Sequence, residues 1–197
     1  MTDLSTGGRF GAALRELLED DTAFSRHQEA NLRPEVVETL RKAIEDSGVK
    51  YIYYMLPTVG GRTVAKVVPA EHYDRMLKKG IAFHRTALTD LQTSREGELI
   101  GGGVDAHEFW GLPEPETFQV LPWAHADGGQ HSARIFCDIY NPDGSPSWAD
   151  PRHVLRRQLN KAADLGFSCY VHPEIEFFLF RSLDTNGAEP EPTDNGG

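Results

Sequence analysis

Tyr170-Val171-His172-Pro173-Glu174-Ile175-Glu176-Phe177-Phe178-Leu179-Phe180 is the run around which the rest of the chain can be ordered. Taken as a β-strand, its side chains alternate, so His172, Glu174, Glu176, Phe178 and Phe180 share one face and Ile175, Phe177 and Leu179 the other. Carboxylates two residues apart on such a face lie roughly 6 to 7 Å apart at Cβ, within reach of one or two shared cations. Flanking aromatics would keep that face partly dry, and a hard divalent ion would relieve the repulsion between the two charges. The same spacing also fits an ordinary strand with glutamates on a wet face.

Working back from this strand, Asp150 is a good N-cap and Pro151 a good first residue for a helix that Gly166 ends. Val154, Leu155, Leu159, Ala162 and Leu165 form its expected buried stripe, and Arg152, Arg156, Arg157 and Lys161 its solvated face. Upstream, Phe118 to Trp123 and Arg134 to Tyr140 read as strands, the second closed by the turn Asn141-Pro142-Asp143-Gly144. Val49 to Leu56 and Thr63 to Val68 read as a β-hairpin, flanked by a helix from Pro34 to Gly48 and another from Ala70 to Gly80. Residues 1 to about 30 read as a loosely attached extension. Gly101-Gly102-Gly103 lacks the strand before and helix after that a dinucleotide-binding glycine loop needs. The tail from Asp184 reads as a loop or linker.

The chain has 197 residues, 39% hydrophobic, and a net charge of −10. That is enough for one large or two small domains, and the negative balance opposes nucleic acid and anionic membranes as partners. With no long apolar run and no leader-like N-terminus, the expectation is a cytoplasmic protein. Cys137 and Cys169 sit in apolar runs and are expected as buried thiols. No His has zinc-ligand spacing, and only His172 shares a face with the two glutamates.

Several motifs in order resemble the glutamine synthetase family. They are Pro122-Trp123, Ser132-Ala133-Arg134-Ile135-Phe136-Cys137-Asp138, Asp143-Gly144-Ser145-Pro146, Asp150-Pro151-Arg152 and Pro173-Glu174-Ile175-Glu176-Phe177-Phe178-Leu179. More loosely, Gly61-Arg62 through Pro69 and Gly80-Ile81-Ala82-Phe83 are similar to that family's N-terminal β-grasp domain. The resemblance implies an α+β fold: an extension over 1–30, a β-grasp domain over 31–146, and the first helix and strand of a catalytic domain over 147–197.

By the same resemblance, glutamate's γ-carboxylate is phosphorylated by ATP and an amine displaces the phosphate. Glu174 and Glu176 correspond to metal ligands at two Mg²⁺ (or Mn²⁺) sites. The implied partners are glutamate, ATP, ammonia and further copies of the chain, in stacked rings such as a dodecamer. Where the family commonly has Asp-Gly-Ser-Ser at the ammonium site, this chain reads His84-Arg85-Thr86-Ala87. Losing that anion should weaken attraction for ammonium, so a γ-glutamylamide synthetase using methylamine or a polyamine is the alternative. The family's other metal and substrate ligands would fall beyond position 197. The expectation is therefore a fragment without ligase activity of its own, or a non-catalytic module that docks on full-length subunits.

Overall fold

The computed structural model describes residues 21–89, 92–100, 106–122, 131–181 and 191–193. The described residues form two units that part between Asn160 and Lys161.

In the first unit, helix α1 spans Ala23–Asn31 and α2 spans Pro34–Ser47. Thr22 and Ser25 cap α1 reciprocally, each side chain accepting the other's backbone N–H. Pro34 opens α2, and Gly48 closes it in the left-handed region at φ 64°. Strands β1 (Tyr51–Pro57) and β2 (Thr63–Pro69) make the expected antiparallel hairpin, with Tyr51 opposite Pro69 and Pro57 opposite Thr63. A 3-10 turn over Ala70–His72 leads into α3 (Tyr73–Lys79). Strand β3 (Ile81–His84), a single turn α4 (Arg85–Leu88), β4 (Glu108–Pro113), β5 (Gln119–Val120) and β6 (Ser132–Tyr140) follow. Helix α5 runs over Pro151–Asp164.

The strands form one sheet in the order β2-β1-β6-β4-β3, with β5 on β6. At its centre β1 and β6 run parallel, Tyr51 beside Ser132 and Met55 beside Phe136, while the other pairs are antiparallel. Strand β6 places Ile135, Cys137 and Ile139 in the main core with Leu40 and Ile44 of α2 and Ile52, Tyr54 and Leu56 of β1. Tyr140 joins Phe24 of α1 and Trp110 and Leu112 of β4 in a second cluster. Both faces of the sheet are therefore covered at β6 and β4. That leaves β4 buried through Phe109 on one side and Trp110 and Leu112 on the other.

The structure corrects the sequence reading in several places. The extension does not reach residue 30: Ala23–Asn31 is a helix whose Phe24 is fully buried, and Asn31 Nδ2 donates to the Pro113 carbonyl at 2.7 Å. Residues 1–20 lie outside the described residues, as do 101–105 and Trp123. The strand expected over 118–123 is only Gln119–Val120 in the described part, and β3 and β4 were not foreseen.

Helix α5 buries neither of its faces, so its apolar stripe is not covered and most of its cationic face is solvated as expected. Leu155, Leu159 and Leu165 are exposed, whereas Arg152 and Arg156 turn towards a buried carboxylate. In the second unit, residues 167–179 form no strand. A strand needs a neighbour to take its backbone N–H and C=O groups, and among the described residues of this unit the one such pairing is the bridge from Phe180 to Pro192. Cys169, expected to be buried, is exposed; Cys137 is buried.

Candidate functional site

Polar side chains converge where α1, β4, β6 and α5 meet. Position 138 falls on the face of β6 that carries Tyr140, so an aspartate there is desolvated, 3% exposed, and needs partners. The helix that follows supplies them: Arg152 Nε donates to Asp138 Oδ1 at 2.9 Å, and an Arg156 guanidinium nitrogen donates to Oδ2. Burial alone raises the Asp138 pKa, but the bonds from Arg156 and Arg152 outweigh it and hold the carboxyl below its ordinary value. Asp150, wholly buried, is the N-cap that the sequence predicts and also a link to the sheet. One oxygen accepts the Arg152 N–H at 2.9 Å and the other the Ile139 N–H at 2.8 Å. Burial dominates there and raises its pKa.

Beside this pair, His27 Nδ1 lies 2.7 Å from the Tyr140 hydroxyl, and His27 Nε2 lies 2.8 Å from Glu114 Oε1, off the line that a hydrogen bond requires. Oxygen or nitrogen atoms of His27, Glu114 and Asp138 fall within 4.8 Å of one another, a spacing that could suit a metal ion. The electrostatics oppose it. Both Asp138 oxygens are held by guanidinium groups, and Arg156 also stands 3.7 Å from Glu114, so a cation would enter beside two positive charges. The cluster is an ion-pair joint that fixes the start of α5 to the sheet.

The residues that the sequence singled out lie elsewhere. His84 ends β3; its Nδ1 lies 2.7 Å from the Thr86 hydroxyl and caps the α4 turn. Arg85 places its guanidinium 4.9 Å from the centre of the Phe109 ring. In the second unit His172, Glu174 and Glu176 are all exposed. Among the described residues, no side chain ion-pairs or hydrogen-bonds with either glutamate. Sequence reasoning missed Asp138, Glu114 and His27 as a set, although one acid inside the apolar run Ile135–Tyr140 is itself a sign of a buried partner.

Residues 148–195 match the family model described as glutamine synthetase, catalytic domain. Curated relatives named glutamine synthetase, a ligase, include that of Mycobacterium tuberculosis strain H37Rv, 46% identical over 162 residues. That alignment covers 81% of this chain and 34% of the relative. The protein of Mycolicibacterium smegmatis is 42% identical over 160 residues, with the same two coverages. This chain belongs to the glutamine synthetase family. It spans about a third of the length of the curated relatives it matches.

A solved structure described as "GmaS/ADP complex-Conformation 1" superposes with a TM-score of 0.50 at 25% identity, covering 64% of this chain and 26% of the other. A "novel glutamine synthase homolog" gives 0.50 at 15% identity over 59% of this chain and 27% of its own, a likeness of fold alone. No helix among the described residues is long and apolar enough to cross a membrane.

Proposed function

We propose that this chain carries the β-grasp part and the first metal-binding segment of an ATP-dependent ligase that joins the γ-carboxylate of glutamate to an amine. The observation that carries the reading is the 46% identity to a mycobacterial glutamine synthetase, together with a catalytic-domain match that includes Glu174 and Glu176. Glu174 and Glu176 would hold Mg²⁺ or Mn²⁺. When bound, such ions neutralise the charge shared between nucleotide and acceptor. The protein's own contribution is then placement, since phosphoryl transfer asks for position and charge rather than a protein nucleophile. The ADP named for one structural neighbour agrees with a nucleotide as co-substrate. Further copies of the chain, in a cytoplasmic ring assembly, are the partners that the family implies.

Two carboxylates alone hold such ions weakly, because several water ligands remain. Mn²⁺ titrated into the protein should broaden amide NMR signals around residues 172–178 first, and the double variant Glu174→Gln, Glu176→Gln should abolish that preference. Broadening spread evenly over all acidic surfaces would overturn the assignment.

A second reading concerns the amine. A half-buried Arg85 stacked on Phe109 puts positive charge where the family commonly has an aspartate, which favours an organic amine over ammonium. Grafting His84-Arg85-Thr86-Ala87 into a mycobacterial relative should lower kcat/KM for ammonium at least about tenfold, on the scale of one lost ion pair, and methylamine less. Equal losses for both amines would count against it.

A further inference from the structure

Arg85, Leu88, Ile100, Phe109, Trp148 and Ala149, with Thr89, line a recess of ≈ 290 Å³ in the first unit. This lies at the small end of the roughly 300–1,000 Å³ of small-molecule sites. Its walls are largely apolar: Leu88 is 0%, Phe109 2% and Ala149 8% exposed. Among the described residues, Arg85 is the one charged member of the lining. Its side chain is half-buried, and among the described residues its contact is the Phe109 ring and no carboxylate pairs with it. A guanidinium with five donors and no anion, held over an aromatic face, is an incomplete arrangement, since partly desolvated arginines ordinarily find a carboxylate or phosphate. At the rim Trp148 is 74% exposed, and among the described residues its indole N–H meets no acceptor. Thr89 adds no donor, because its hydroxyl is bonded to the Ile100 carbonyl at 2.7 Å.

We propose that this recess binds a small organic carboxylate with a flat apolar body. Arg85, backed by the Phe109 ring beneath it, takes the carboxylate through its planar fork, and the exposed Trp148 at the rim covers the flat body. One cation in an apolar wall suits a singly charged anion. A phosphate dianion would call for more donors than the lining offers. The inference uses neither Glu174 nor Glu176 and so does not rest on the metal reading, but it shares Arg85 with the reading of the amine.

Phenylacetate titrated into the full chain, followed by calorimetry and ligand-observed NMR, tests it. With ten non-hydrogen atoms, binding near 1 mM is the expected scale. Arg85→Gln should weaken binding at least about tenfold with an unchanged melting temperature, Arg85→Lys less, and Trp148→Ala about threefold. Benzyl alcohol and inorganic phosphate should both bind much more weakly than phenylacetate. Equal binding of benzyl alcohol would remove the role of charge, and equal binding of phosphate would remove the apolar body. No phenylacetate binding at about 10 mM, or none of the variants weakening it, would overturn the site. Should Arg85→Gln unfold, Trp148→Ala and the two control ligands decide.

Discussion

Arg152 Nε meets Asp138 Oδ1 at 2.9 Å, tying the second residue of α5 to the middle of β6. The bond holds the first turn of α5 against the sheet, while Leu155, Leu159 and Leu165 lie at the surface. Removing one partner of such a pair strands the other. Asp138→Ala should therefore cost about 2–4 kcal/mol of stability in urea unfolding, below the 3–5 kcal/mol of a fully buried pair because Arg156 is partly exposed. A loss under about 0.5 kcal/mol would refute the joint.

The pH dependence follows from the same group. Its folded pKa lies below the ordinary value, so its contribution is complete above about pH 4 and is lost as pH falls through the lower, folded value. Asp150, raised by burial, acts in reverse: its term is complete below its ordinary value and is lost as pH rises through the folded one. Stability measured between pH 6 and 3 should fall less steeply in Asp138→Ala than in the parent.

If the leucine stripe of α5 is solvent-facing, Leu155→Ala should change stability by no more than about 0.5 kcal/mol. A buried stripe would lose about 2–5 kcal/mol, which chemical denaturation would reveal at once.

Phe24 is fully buried and sits edge-on to Tyr140 with ring centres 5.5 Å apart. Phe24→Ala should cost about 3–5 kcal/mol. A negligible cost would return residues 23–31 to the status of an appendage.

Gly80 closes α3 at φ 64°, and a Cβ there would come within 2.8 Å of the Gly111 carbonyl oxygen. Backbone cannot step aside as a side chain can. Gly80→Ala should lower stability by about 1–3 kcal/mol, read from the shift in melting temperature.

Cys137 is buried and its thiol is pushed well above the ordinary value by desolvation, whereas Cys169 is exposed. An aromatic disulfide reagent should label one thiol quickly in the native protein, and Cys169→Ser should remove that phase. Two fast thiols would contradict the packing of β6.

Helices α2 and α3, the β1–β2 hairpin, β6 and the Asn141–Gly144 turn were legible because periodicity, caps and turn residues act over a few positions. Helix α5 was legible as a helix, but the hold on its first turn was not, because Asp138, which takes Arg152 and Arg156, lies more than ten residues away. Strand β4 escaped because it is buried on both faces and carries Gly111 and Pro113, which erase alternation. The segment 170–180 shows strand preference without a strand, as preference supplies no partner. Glu174 and Glu176 could be picked out by spacing and resemblance. The recess around Arg85 could not, because residues 85, 109 and 148 meet only through the sheet.

The parallel seam between β1 and β6 joins positions about eighty residues apart. Such a seam closes against a large loop entropy and slows the search for the native topology. The β1–β2 hairpin and α2, being local, can form early, and β4 and α1 lose their main support until β6 docks. A chain emerging from the ribosome thus holds a half-built sheet with an open central edge until residue 140 has been made. During that interval it is most exposed to mispairing with its neighbours.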